Sequence, residues 1–155
     1  IYDPKASKRR VIGIDIEIRK HNKQKILAHP FSHYIELIEG SSIDKKLCEK
    51  VFKIAKSCKN VLVILDSNHT HEHVVEELKI YSQLINVGSY CVVLDTIIED
   101  MPKNFFNDRP WDKGNNPKTA VYEFLKNNSC FEIDNQICNK LLITVAPNGF
   151  LKRKK

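Results

Sequence analysis

Three acids stand at the ends of short apolar runs in this 155-residue chain. Asp15 lies at the end of residues 11–16 (VIGIDI), Asp66 follows 61–65 (VLVIL), and Asp95 follows 90–94 (YCVVL). Apolar, β-branched runs of this length predict buried strands. Ligands of open α/β sheets bind outside the carboxyl ends of the strands. Asp15 is therefore placed either to accept hydrogen bonds from the ribose hydroxyls of a nucleoside cofactor or to cap a turn. Asp66 and Asp95 end strands that are adjacent in sequence order. Two carboxylates brought together repel unless a cation lies between them. The pair predicts a hard divalent ion such as Mg2+, able to polarise a hydroxyl oxygen; the alternative is that each acid caps the segment after it.

The segment HTHEH carries His69, His71 and His73. Three histidines this close allow a zinc-hydrolase reading, but the spacing departs from the usual HxHxDH pattern. A helix starting near Thr70 would put His69 and His73 near one face and turn His71 away. The alternative is a single working histidine, His69, acting as general base beside Asp66, with His71 and His73 on the helix surface or in packing. Further on, Arg109, Trp111 and the GNNP segment sit in a loop spanning 96–115, long enough to be a binding element. Trp111 either stacks on a substrate or anchors the loop to the core, and Arg109 could hold an anion.

The elements that must position these residues follow from periodicity. Strands are predicted at 11–16, 34–38, 61–65 and 90–94. The run at 61–65 is apolar on both faces, as in a central parallel strand. Helical spacing of apolar residues runs over 43–55, with Leu47, Val51 and Ile54, and over 70–85, with Val74, Leu78, Tyr81 and Ile85 on one face. Glu76 and Glu77 are predicted on the opposite face. Asn116 and Pro117 have the residue types of a helix N-cap and first turn, and 119–125 continues that helix. Residues 131–133 and 141–145 (LLITV) are predicted to pair as a hairpin joined through 135–139. This alternation implies an α/β fold, a mostly parallel sheet with an antiparallel strand near the C-terminus.

Length and composition suit one soluble domain. Five cysteines, an odd count without CxxC spacing, point to a reduced, cytoplasmic compartment. No apolar run approaches the roughly 18 residues that would span a bilayer, and no signal peptide is visible, so no membrane partner is expected. The net charge of +6 is concentrated in residues 5–10 and 152–155. No aromatic residues interleave with these basic ones, so they are expected to be solvated ends and not a nucleic-acid surface. A homo-oligomer remains compatible with the sequence.

The segments VIGIDIEIRKHN, IEGSSID, LVILDSNHTHEHV, YCVVLDT, RPWDKGNNPKTAVYEFL and KLLITVAPNGFLKR together resemble the cephalosporin hydroxylase family, which includes the rhamnosyl O-methyltransferases. The likeness runs from Val11 to Arg153. It implies a class I S-adenosylmethionine-dependent methyltransferase with a Rossmann-like sheet, covering 1–155 as one domain. It also implies an O-methyltransferase acting on a hydroxyl of a small molecule or sugar with Mg2+ assistance. By resemblance, Asp15 would bind the cofactor's ribose, and Ser41, Ser42 and Ile43 would border its adenine. Asp66 and Asp95 would be metal ligands, with His69 in the place of a base.

The chain departs from the family pattern twice. The family has a further metal ligand beside the second acid, whereas Asp95 is flanked by Leu94 and Thr96; Glu99, Asp100 or a water would have to complete the set. Residues 1–10 hold no glycine and no apolar run, so the first strand and its glycine-rich loop are expected to be missing from an N-terminally incomplete domain. That loss leaves a second reading open, a non-catalytic cofactor-binding or interaction module with this fold.

Overall fold

The computed structural model describes residues 9–155. The expectations placed on residues 1–8, the basic start and the absent strand, lie outside the described residues. The chain forms two compact units, Ile1–Cys58 and Lys59–Lys155.

In the first unit, β1 (Val11–Asp15) and β2 (Ile35–Glu39) pair in parallel, with Asp15 opposite Glu39. Parallel neighbours need a crossover. Here it contains helix α1 (Lys20–Leu27) and a 3-10 turn at Ser32–Tyr34. Helix α1 escaped the periodicity reading because KHNKQKIL has no apolar face and buries no residue. Helix α2 (Lys45–Ala55) buries Leu47, Cys48 and Val51, and the Asp44 carboxylate caps it by accepting from Leu47 N at 2.9 Å.

The second unit contains β3 (Val63–Leu65), α3 (His71–Tyr81), β4 (Tyr90–Val93), α4 (Pro117–Asn127), β5 (Phe131–Ile133), α5 (Asn135–Leu141) and β6 (Phe150–Arg153). Its sheet has the order β3-β4-β6-β5. Strands β3 and β4 are parallel, whereas β6 runs antiparallel to both β4 and β5. Val74, Val75, Leu78 and Tyr81 of α3, Val121 and Phe124 of α4, and Cys91, Val93, Phe131 and Leu151 of the sheet are buried. Each unit is α/β, with parallel pairing of β1 with β2 in the first and of β3 with β4 in the second, where β6 is antiparallel to its neighbours.

Four expectations are corrected. LLITV is not a strand, and 135–139 is not a hairpin connection. That connection is helix α5, capped by Asp134 through Gln136 N at 3.0 Å, and the run after it is exposed, Leu142 by 86% and Ile143 by 92%. Leu142 adopts φ 61°, incompatible with a strand. The strand is the more polar FLKR. It lies between β4 and β5 because its backbone is paired on both sides.

The basic C-terminal residues are accordingly not all solvated. Arg153 Nη1 donates to Ile85 O at 2.6 Å, and its guanidinium lies 5.9 Å from the Phe131 ring centroid. Strand β3 ends the sheet order of its unit, with Ile64 exposed, instead of lying centrally. Finally, Glu77 does not share a face with Glu76. Successive helical residues are about 100° apart, and Glu77 falls beside the apolar stripe, 2% exposed.

One glycine is required by a close approach. A Cβ on Gly149 would lie 2.1 Å from Val93 O. The tight fit holds the entry to β6 against the end of β4, where Gly149 O accepts from Val93 N at 2.8 Å.

Candidate active site

Strands β3 and β4 run parallel, with Leu65 opposite Val93, so the residues after each emerge at the same end. Asp66 leaves β3 directly, and Asp95 leaves β4 one residue after Leu94, whose N–H donates to Leu65 O at 3.0 Å. His69 closes the turn between β3 and α3. One donor atom from each of Asp66, His69 and Asp95 lies within 4.8 Å of the others. His69 Nε2 is 3.2 Å from Asp95 Oδ2 and 3.6 Å from Asp66 Oδ1.

Neither distance makes a hydrogen bond. The nearer oxygen is poorly aligned with the ring, so Nε2 is buried without a hydrogen-bond partner. Among the described residues no lysine or arginine forms an ion pair with either carboxylate. Two acids facing one small space, with no lysine or arginine between them, fit a divalent ion, and the imidazole nitrogen lies beside that place.

Asp95 has a left-handed backbone, φ 53° and ψ 23°, at the cap position before a 3-10 helix, Thr96–Asp100. Aspartate tolerates this conformation better than most residues. Strain of this kind is frequent at functional sites.

Trp111 borders the site from the long loop. Its ring meets that of His69 edge-on with centroids 4.8 Å apart, and the Arg109 guanidinium lies over the Trp111 ring, 5.6 Å from its centroid. Trp111 is half-buried. The loop carrying it is tied down by polar side chains. Asn115 Nδ2 donates to Pro110 O at 2.9 Å, while Asn115 Oδ1 accepts from His71 N at 2.9 Å. Fully buried Asn116 caps α4 in a capping box with Thr119, and its Nδ2 donates to Glu99 Oε2 and to Asp112 O. The sequence reading of Asn116 and Pro117 as a helix start thus agrees with the structure.

The HTHEH cluster is dispersed, which overturns the three-histidine zinc reading. His71 lies against α4, with Nδ1 2.8 Å from Thr119 Oγ1 and Nε2 3.0 Å from Glu123 Oε2. His73 Nε2 is 3.6 Å from Glu77 Oε1. Each histidine faces a different neighbour because the helix begins at His71 and the turn before it carries His69 away. Glu99 and Asp100 do not complete the acid pair. Glu99 Oε2 accepts from Gly114 N at 2.7 Å, and both Asp100 oxygens lie 2.7 Å from Lys118 Nζ.

The cofactor residues expected from the sequence lie in the first unit. Asp15 and the loop 40–43 emerge at the carboxyl end of the β1–β2 pair, where Gly40 N donates to Asp15 O at 2.8 Å. The Asp15 carboxylate accepts from Glu17 N at 3.1 Å and is exposed. Ser41 Oγ accepts from Ile43 N at 3.4 Å, and Ser42 O accepts from Cys48 Sγ at 3.2 Å, which sets the loop at the head of α2.

A model of the family Rhamnosyl O-methyltransferase/CmcI matches residues 1–154. The chain is similar to the rhamnosyl O-methyltransferases of Mycobacterium tuberculosis (strain ATCC 25618 / H37Rv) and Mycobacterium bovis (strain BCG / Pasteur 1173P2). Each is 32% identical over 118 residues, which is 75% of this chain and 46% of the relative. The match thus spans about half the length of these curated relatives. Among solved structures, the fold resembles the MycE methyltransferase from the mycinamycin biosynthetic pathway. The complex with Mg, SAH and mycinamycin VI gives a TM-score of 0.52 at 15% identity, covering 94% of this chain and 36% of that one. The complex with Mg and SAH gives 0.50 at 16%, covering 94% and 38%.

Proposed function

We propose, since the chain belongs to the Rhamnosyl O-methyltransferase/CmcI family, that it contributes to transfer of a methyl group from S-adenosylmethionine to a hydroxyl of a sugar or other small molecule. The observation that carries this reading is the meeting of Asp66, His69 and Asp95 at one end of a parallel strand pair. The names of the relatives and of the solved complexes support the cofactor, the ion and the substrate class. Residues 1–155 are then part of one Rossmann-like methyltransferase domain in a cytoplasmic protein.

S-adenosylmethionine supplies the methyl group, and Mg2+ supplies the positive charge that makes a substrate hydroxyl more acidic. Asp66 and Asp95 are the residues that would hold the ion. His69 receives the hydroxyl proton at Nε2, the atom left without a hydrogen-bond partner. Trp111 packs against the His69 ring and borders the substrate's place. Asp15 accepts the ribose hydroxyls of the cofactor, while Ser41, Ser42 and Ile43 border the adenine. These residues bind and orient, and the rate comes from positioning and electrostatics.

Asp66→Ala is expected to abolish metal-dependent methyl transfer, a loss of at least about 100-fold. Undiminished turnover in that variant would sink the mechanism. Calorimetry with S-adenosylmethionine, with and without Mg2+, tests the cofactor half, and Asp15→Ala is expected to weaken that binding.

A further inference from the structure

The mechanism above gives no part to Glu77, the most deeply buried carboxylate among the described residues. Its Oε1 accepts from Ser67 Oγ at 2.7 Å and lies 3.6 Å from His73 Nε2, while Oε2 is buried without a partner. Burying a carboxylate on so few bonds is costly. A methionine would fill the same place beside the apolar stripe of α3 without that desolvation. What an apolar residue could not do is accept the hydroxyl of Ser67.

Ser67 directly follows Asp66 and precedes His69 by two residues. His69 packs against Trp111, whereas Asp66 and Asn68 are loosely held. Asn68 Oδ1 accepts from Thr70 N at 2.9 Å, a bond local to the turn. Asp66 is 57% exposed, with His69 its ion-pair neighbour. The Ser67–Glu77 bond is the side-chain tie that reaches from this turn into the packed body of α3. Asp95 arrives from a different strand, so the distance between the two acids depends on where the turn is held.

We propose that Glu77 is a positioning residue. Through Ser67 it holds the turn bearing Asp66 and His69 against Asp95, and ion affinity depends on it although it is not a ligand. The inference rests on Asp66 and Asp95 sharing an ion, as proposed above. It accounts for a buried carboxylate placed ten residues from the serine it holds. Partners of this outer kind affect affinity because they keep the ligands in place before the ion arrives.

The test is Mn2+ binding to the 155-residue chain, read from the spectrum of the free ion, together with amide hydrogen exchange over residues 66–70. Glu77→Gln keeps an acceptor oxygen for Ser67 and is expected to bind as the unaltered chain does. Glu77→Met and Ser67→Ala are each expected to bind about 10-fold more weakly. The double variant is expected to be no worse than either single one, since both remove the same bond. Exchange in the turn is expected to quicken in the methionine and alanine variants and to stay slow in the glutamine one.

Wild-type affinity and exchange in Ser67→Ala, an exposed substitution expected to leave the fold intact, would overturn the proposal. So would a loss in Glu77→Gln equal to that in Glu77→Met. If the unaltered chain takes up no Mn2+, the shared-ion reading fails; exchange in the turn then decides separately whether Glu77 positions it.

Discussion

Asp95 combines two demands at one residue. Its carboxylate belongs to the donor set, and its backbone is left-handed. Glycine adopts that conformation without the Cβ penalty, which is about 1–2 kcal/mol for an ordinary residue and less for aspartate. Asp95→Gly is therefore expected to leave the melting temperature unchanged or raise it by a few degrees while removing ion binding. Asp95→Asn, which tolerates the same conformation, should keep stability and lose ion affinity. A large fall in melting temperature for both variants would contradict this account. The acids themselves were legible in the sequence, because an apolar run followed by a carboxylate is a local pattern. Glu77 was not. Its burial depends on which side of α3 the sheet lies, and a charged residue beside the stripe reads as solvated until that side is known.

At the scale of elements, two positions hold the site from outside it. Asn116 caps α4 and ties the long loop to Glu99 and Asp112. Asn116→Ala removes the cap and strands half-buried partners, so it is expected to cost about 2–4 kcal/mol in chemical denaturation. It should also free Trp111, raising the accessibility of its ring to a collisional quencher. Gly149→Ala is expected to cost about 2 kcal/mol or more, because its Cβ would meet Val93 O at 2.1 Å and a backbone must move. The start of α4 was legible in Asn116 and Pro117, since capping is chemistry of adjacent residues. Helix α1 was not, for want of an apolar face, and LLITV misled because β-branched composition describes suitability for a strand and not the presence of one.

For the molecule as a whole, pH dependence has a definite sign at one link of the second unit. Tyr90 Oη donates to Asp134 Oδ2 at 2.7 Å. This bond holds the Asp134 carboxyl below the ordinary aspartate range and, more than burial does, pushes the Tyr90 hydroxyl above the ordinary tyrosine range. A carboxyl with a depressed value contributes stability above its unfolded pKa, lost as pH falls through the folded value. A tyrosine with a raised value contributes below its unfolded pKa, and that part is lost as pH rises through the folded value. The melting temperature of Tyr90→Phe is thus expected to fall less than that of the unaltered chain at both the acid and the alkaline ends. Identical profiles would show the bond to be without effect. No helix is long and apolar enough to cross a membrane among the described residues.

What the sequence alone determined is where chemistry-bearing side chains stand along the chain: acids at the ends of apolar runs, a histidine three residues after one of them, an asparagine at a helix start. These are short-range patterns, set by alternation, helical period and capping. The family was legible for the same reason, since its segments are contiguous and are matched over residues 1–154. The tertiary structure decided which of them meet. It joined Asp66 and Asp95 through parallel pairing of β3 and β4, separated His71 and His73 from His69, bonded Glu99 and Asp100 elsewhere, placed FLKR inside a sheet, and buried Glu77 beneath the turn that carries the site. Most of these outcomes depend on partners ten or more residues away, and pairing and burial are properties of what lies opposite a residue, not of its neighbours in the chain.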